Sequence, residues 1–357
     1  MIPIDKIRNL KILITHGYPD NPCPDGLAAA LILRDALPNI QVRFLVHGTR
    51  ELEDLVPEPG VLFCDIVPSA KSAWQFVEAG AIVLDHHVAA RSDVEQFGAL
   101  GVYADACSEP GVSGAVLAFR EIWLPVKEAE LASFASFPDL RDSDNAEDWN
   151  RLRARYLDAR NQVSRFAMLT GIRDTWQRTS PLWREACEQM AALMFFTDWL
   201  DVTDGVTGVL GMPEVFRERM RLGKLLLAKA EAETAALVKQ AVTYTTRSGT
   251  RVAILPSCRI SDAANLLDVD VVVGFQFTAS ESDSPTMRVS LRSRGDHDVS
   301  KLASTFDGGG GHKGAAGMTI RVHSYTPHPY LTIREVIARY ESSTETPWVV
   351  SREGVQP

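Results

Sequence analysis

The sequence predicts an α/β protein, with an N-terminal doubly wound parallel sheet joined by a linker helix to a smaller α/β unit. Three observations predict this. Over the first 125 residues, short runs rich in Val and Ile alternate with helix-like stretches, the pattern of strands and crossover helices. Those runs are almost continuously apolar, as strands covered on both faces must be. A chain of 357 residues also holds about two domains at ~150 residues each.

The expected strands of the first unit are KILITHG (11–17), QVRFLVH (41–47), VLFCDI (61–66), AIVLDHH (81–87) and GVYADA (101–106). Helical stretches run from Asp25 to Leu37, Ser69 to Ala79 and Val112 to Trp123. Residues 125–205 read as mostly helical, interrupted by the acidic PDLRDSDNAEDWN (138–150), expected as a surface loop entering a helix. LDVTDGVTGVLGMP (200–213) carries three glycines and a closing proline, and reads as an interdomain joint. The amphipathic stretch 215–241 is the expected linker helix. Strands RVAILPS, VDVVVGFQFT and MRVSLRS follow, with SDAANLLD and DVSKLASTF as helices. A glycine-rich turn, GGGGHKGAAG, leads into the strand MTIRVH; a closing helix (332–342) and a loose tail end the chain. The resulting boundaries are 1–205, a joint and linker at 206–243, a second unit at 244–343, and a tail at 344–357.

Composition narrows the function classes. With 37 basic and 46 acidic side chains, the formal charge is −9, which excludes a broad basic coat for long duplex nucleic acid. An enzyme holding a short substrate through bound cations and a few arginines remains compatible. No apolar run reaches about 18 residues, so no membrane span is expected. The apolar start of the chain is short and lacks a small-residue cleavage site, so no signal peptide is expected. Five scattered cysteines without CxxC spacing argue against a disulfide framework or zinc finger, and for a reducing, cytoplasmic setting.

Parallel sheets bind ligands beyond the carboxyl ends of their strands, and the unusual polar residues gather there. Asp85-His86-His87 follows the apolar AIVL, and the desolvation of three consecutive titratable groups needs a counterpart, for which a divalent metal is the natural choice. His16-Gly-Tyr-Pro-Asp20-Asn-Pro-Cys23-Pro-Asp25-Gly26 follows another strand, and its three prolines hold the side chains in place. Asp25 could simply cap the helix it opens, but a cap leaves His16, Asp20 and Cys23 unexplained. Asp65 ends the strand VLFCDI, and Asp174 sits in GIRDTW, where a plain helix-end reading competes. Together His16, Asp20 or Cys23, Asp25, Asp65, His86 and Asp174 form a carboxylate–imidazole set suited to two Mn²⁺-like ions bridged by one Asp. In the second unit, Gly308, Gly309, Gly310 and Gly311 could form an anion nest. His312-Lys313 follows directly, and Arg292 is a candidate phosphate clamp, against a plain surface-strand reading. His47, His297, His323 and His328 read as surface or packing residues. Trp149, Trp176 and Trp183 read as core or lid.

HGYPDNPCPDG, FCD, LDHH and GIRDTW, in that order, resemble the successive motifs of the DHH phosphoesterase superfamily. GGGGHKGAAG, after MRVSLRS and DVSKLASTF, resembles the signature of the DHHA1 domain that accompanies one subfamily. The resemblance spans nearly the whole chain and is nearest to the enzymes that degrade short oligoribonucleotides (nanoRNases). It implies a two-domain phosphoesterase with its active site in the cleft between the domains. It also implies two divalent ions, Mn²⁺ first, with Mg²⁺ or Co²⁺ as alternatives. His16 and Asp65 would hold the first metal, and Asp25, Asp65, His86 and Asp174 the second, with Asp65 bridging. His87 would face the substrate phosphate, and Asp85 would orient a histidine from behind. Gly308–Gly311 and His312 would meet the substrate, with Arg292 beside them. The partner implied is a short oligonucleotide or dinucleotide, with no membrane and no long duplex; a homodimer is left open. Cyclic-dinucleotide or 3′-phosphoadenosine-phosphate hydrolysis, or a catalytically silent nucleotide sensor, are the competing readings.

The first motif departs from the usual pattern. The common form has Asp four and six residues after the His; here the fourth position is Asp20 but the sixth is Pro22. The Asp-Gly pair comes at the ninth position, behind Cys23, as in a CxDG variant with a three-residue insertion. Either Cys23 or Asp20 completes the first metal site.

Overall fold

The computed structural model describes residues 2–47, 49–105, 108–135, 146–208, 211–258, 260–278, 286–295, 297–306, 309–321 and 328–343. The core of the acidic loop, part of the glycine-rich joint, Gly308, His323 and the tail lie outside the described residues, as does the His312 side chain. The chain divides into two units, Met1–Ala228 and Lys229–Pro357, with the division inside the long helix Glu214–Val238.

In the first unit, strands β1 (Ile12–Tyr18), β3 (Gln41–Leu45), β4 (Val61–Cys64), β5 (Ile82–Asp85) and β6 (Gly101–Tyr103) make one parallel sheet in the order β3-β1-β4-β5-β6. A short strand β2 (Asn21–Pro22) pairs antiparallel with the end of β1 and forms a small arm. The expected doubly wound sheet is therefore present. Alternation along the strands sends side chains to two separate cores. Leu13, Leu62, Ile82 and Leu84 join one core, while Ile14, Val61, Phe63 and Val83 join the other. The chain leaves β1 toward β3 on one side, then crosses to β4 on the other. Such a reversal of strand order opens a crevice at the carboxyl edge between β1 and β4.

Helix Pro24–Ala36 is buried on almost every face, with residues 28 to 33 fully covered. It packs on β1 and on the helices Gly114–Ala118 and Ala146–Asp174, so an all-round apolar sequence is what its position requires. The expected helix at 112–123 runs as Gly114–Ala118, a π turn at Phe119–Trp123, and a further α-helix, Leu124–Ala135. The π turn ends beside Pro125, which has no N–H to continue the ordinary ladder.

The segment expected as a joint is tied down at its start. Val206 is fully buried, and the Thr207 N–H and hydroxyl both donate to the Asp35 carboxylate. Trp123 Nε1 donates to the same carboxylate at 2.7 Å. Buried hydrogen bonds from a distant helix thus fix the chain where this segment begins.

The second unit is built on strands β7 (Val242–Thr245), β8 (Arg251–Leu255), β9 (Val271–Thr278), β10 (Thr286–Ser293), β11 (Gly310–His312) and β12 (Ala315–Arg321). They pair in the order β11-β12-β10-β9-β8-β7, antiparallel except for β8 with β9, which are joined through the helix Ser261–Leu266. Helices Val299–Ala303 and Pro329–Ser343 pack on one face, as the smaller α/β unit requires.

Candidate metal centre

Strand register gathers the first site. Thr15 of β1 pairs with Cys64 of β4, and Cys64 with Leu84 of β5. His16, Asp65 and Asp85 are each one residue further on, so they form a row at the carboxyl edge. The β1–β2 arm then returns the chain: Gly17 pairs with Pro22, Tyr18 with Asn21, and the Cys23 N–H donates to the His16 carbonyl at 3.2 Å. Cys23 thus lies beside His16 and serves as the N-cap residue of helix Pro24–Ala36. Gly26 permits this docking, since a Cβ there would lie 2.6 Å from the His16 carbonyl oxygen.

Asp20 takes no part. It sits exposed in the turn of the arm, because the hairpin needs a two-residue tip, and Pro19-Asp20 supplies it. Cys23 is the residue that the fold carries back to His16. Asp25 is not the cap of its own helix either. Its carboxylate accepts the Gly114 N–H at 2.6 Å and the Ala115 N–H at 3.0 Å, at the start of a different helix.

The carboxylates crowd one imidazole. His86 Nε2 lies 3.3 Å from Asp65 Oδ1 and 3.6 Å from both Asp25 Oδ2 and Asp174 Oδ2. Asp174 reaches this point from the carboxyl end of the 29-residue helix Ala146–Asp174. Asp65 has a left-handed backbone, φ 63°, held by donation of its N–H to the Leu84 carbonyl at 3.0 Å. A non-glycine residue in that region at a buried site is strain retained for placement. Asp85 Oδ1 accepts from the His87 N–H at 2.7 Å and meets His87 Nδ1 at 2.9 Å, fixing the ring tautomer.

Three groups of donor atoms result, each within 4.8 Å of one another: His16, Cys23 and Asp65; Asp65, His86 and His87; and Asp25, His86 and Asp174. Asp65 belongs to two of them, and its Oδ2 is buried without a hydrogen-bond partner among the described residues. Burial, then the charge of Asp25, pushes the Asp65 carboxyl up to about 8. Burial alone would lower His86, but the Asp65 hydrogen bond and the charges of Asp25, Asp65 and Asp174 carry it to about 10. Asp174 rises to about 6 through burial and Asp25. His16 falls to about 4 through burial and the nearby His47 and His87, so it is the neutral imidazole that a metal ligand must be. Burial works against ionised Asp85, yet the hydrogen bond from His87 holds it below the usual range. The centre keeps protons because its acids crowd together, and a divalent cation would replace them. The donor set, the orphaned Asp65 oxygen and the neutral His16 all fit such an ion.

Gly114 was missed from sequence. A Cβ at Gly114 would lie 2.7 Å from Asp65 Cβ and 2.9 Å from Asp25 Oδ2. Its only local signal was Ser113, whose side chain caps the helix. The His47 ring lies 5.9 Å from that of His16, at the end of the strand neighbouring β1. Beside Asp174, Arg173 stacks over Trp176 at 4.1 Å, and Trp176 has φ 56°.

In the second unit, the described part of the glycine run takes up strand pairing. Gly310, Gly311 and His312 form β11 and pair with β12. Arg292 of β10 is partly buried, donating Nε–H to Ser261 Oγ at 3.1 Å and an Nη1 hydrogen to the Leu291 carbonyl at 2.8 Å.

Residues 257–327 match the family model described as the DHHA1 domain. The match lies within the second unit. Its glycine run, β10 and Arg292 all fall within the matched DHHA1 residues. No curated protein matches the chain. Solved structures similar to it include an exopolyphosphatase-related protein from Bacteroides fragilis, at 12% identity, 95% coverage of each chain and TM-score 0.39. Another is PggH from Vibrio cholerae, a pGpG-specific phosphodiesterase, at 15% identity, 91% of this chain, 98% of that one and TM-score 0.36. A third is RecJ from Thermus thermophilus with Mg²⁺, at 18% identity, 97% of this chain, 52% of that one and TM-score 0.40. At such identities the likeness says nothing of substrate.

Proposed function

We propose that the chain is a DHH-type, metal-dependent phosphodiesterase that hydrolyses short oligonucleotides to mononucleotides. The observation that carries this is the overlap of the donor groups at Asp65: a shared carboxylate flanked by imidazoles and further carboxylates is the donor chemistry of a two-ion hydrolytic centre. The order of motifs and the DHHA1 match support it.

His16, Cys23 and Asp65 would hold one ion, and Asp25, Asp65, His86 and Asp174 the other, with Mn²⁺ the first candidate for the nitrogen–oxygen site. Such ions supply an acidified water and neutralise phosphoryl oxygens. The chain does the rest. The backbone N–H groups of Gly114 and Ala115 hold Asp25 in place. Asp85 fixes the Nδ1 hydrogen of His87, and that hydrogen bond raises the His87 affinity for a proton against the opposing effect of burial. Once protonated, His87 offers its other ring nitrogen as a donor to a phosphoryl oxygen. Binding of the remainder of the substrate falls to the DHHA1 unit, with Arg292 as its phosphate-binding residue.

No helix among the described residues is long and apolar enough to cross a membrane. Among the described residues, Cys23, Cys64 and Cys258 are free thiols. The test is a panel of end-labelled RNA and DNA oligomers, a cyclic dinucleotide and 3′-phosphoadenosine phosphate, assayed with Mn²⁺. Preferential turnover of the shortest linear oligomers is expected. No metal-dependent turnover of any member would end the reading.

A further inference from the structure

The two donor groups that meet at Asp65 differ in softness. Asp25, His86 and Asp174 offer only nitrogen and oxygen, whereas His16, Cys23 and Asp65 include a sulfur. That sulfur is placed by main-chain structure: the β1–β2 arm closes with the Cys23 N–H on the His16 carbonyl, and helix Pro24–Ala36 starts at the next residue. Cys64, the other sulfur nearby, is engaged elsewhere, donating to the Gly114 carbonyl at 3.4 Å. A second observation points to a ligand at the same place. Asp65 is 2% exposed, and its Oδ2 has no hydrogen-bond partner among the described residues.

Resting on the two-ion reading above, we propose that Cys23 is a thiolate ligand and that its subsite takes a softer divalent ion, of the Zn²⁺, Fe²⁺ or Co²⁺ class, than its neighbour. Thiolate selects such ions, while carboxylate suits Mg²⁺ and Mn²⁺. On binding, the thiol proton passes to solvent and one metal–sulfur bond forms; no electrons change hands. The centre is then a pair of unlike ions, and Mg²⁺ alone cannot fill it.

Cobalt tests this without reference to catalysis. Full-length, metal-free protein titrated with Co²⁺ should develop a near-ultraviolet thiolate-to-cobalt charge-transfer band. Cys23→Ser and Cys23→Asp should lose the band while still binding Co²⁺ at the other subsite, and Cys64→Ala should keep it. In the wild-type protein, Co²⁺ should protect Cys23 from alkylation, read by peptide mass mapping, so the result stands even where a variant fails to fold. Cys23→Asp should also shift competition between Zn²⁺ and Mn²⁺ toward Mn²⁺ by about tenfold or more. Cobalt bound with no band and no protection of Cys23 overturns the proposal but leaves the metal centre standing. A band that survives in both Cys23 variants overturns it as well. No cobalt bound by the wild-type protein overturns the metal centre and this proposal together.

Discussion

Gly114 lies against two acids at once: its N–H donates to Asp25 Oδ2 at 2.6 Å, and the place of its missing Cβ is 2.7 Å from Asp65 Cβ. Gly114→Ala therefore drives a methyl group between the two carboxylates. Overpacking of this kind costs about 1–3 kcal/mol. Thermal melting should show that loss, and isothermal titration should show Mn²⁺ affinity reduced by about 10- to 100-fold, as when a ligand loses its support. Unchanged metal affinity would mean that Asp25 and Asp65 are not held through Gly114.

Asp65→Asn keeps the size and tolerates the left-handed backbone at φ 63°. It removes a buried acid that burial and Asp25 hold in its protonated form. Hydrolysis should fall to background, while the metal-free protein melts at the same temperature or higher. Wild-type-like turnover in this variant would remove Asp65 from the centre.

The metal-free protein should lose stability as pH rises from 6.5 to 8. In that window Asp65, raised from 3.8 to about 8, and His86, raised from 6.5 to about 10, both bind protons more tightly folded than unfolded. Raising the pH therefore favours the unfolded chain. His16, lowered from 6.5 to about 4, acts in the opposite direction, but its unfolded form loses its proton around pH 6.5, so this opposition fades across the window. Saturating Mn²⁺ should reverse the trend, since the ion competes with those protons. Melting curves in chelator and in Mn²⁺ read both signs, and a flat or rising metal-free curve would contradict the crowding of acids at the centre.

Asp35→Ala strands three donors at once: Trp123 Nε1, the Thr207 N–H and the Thr207 hydroxyl. Removing one partner of a buried network costs about 3 kcal/mol. Hydrogen exchange should show the 203–207 backbone opening faster than in the wild type, with metal binding intact. Exchange at the wild-type rate would show that this segment is held by something other than Asp35.

Arg292→Ala should raise KM for a dinucleotide and weaken transition-state binding by about 1–3 kcal/mol, the range for a charged hydrogen bond. A small chromogenic phosphodiester, too short to need the second unit, should be hydrolysed as before. Equal losses on both would give Arg292 a role in the fold, where its bonds to Ser261 and Leu291 already place it.

What the sequence made legible were the strand ends. An apolar run that stops at a His or Asp declares its own edge, and parallel strands in register then align His16, Asp65 and Asp85. Contacts that depend on distant partners were not legible. Nothing near Gly114 announces the Asp25 carboxylate 89 positions away. His47 is exposed, as a surface reading expects, but its nearness to His16 was not legible because the two come from different strands. The choice between Asp20 and Cys23 turned on a hairpin whose tip takes one and whose return delivers the other. The pairing of Gly310 and Gly311 with β12 was not legible either, because composition does not show a ladder partner.

The β1–β2 arm has one more consequence. Because its two strands run in opposite directions, the tip can grow or shrink by matched pairs of residues while the stem still closes at His16. The count of residues between His16 and Asp25 is therefore set by an exposed loop, and their separation in space by the ladder beneath it. A search pattern with a fixed gap between histidine and aspartate would pass over this chain, whereas one that treats the gap as a variable-length excursion, closed by Cys-Pro-Asp-Gly, would find it.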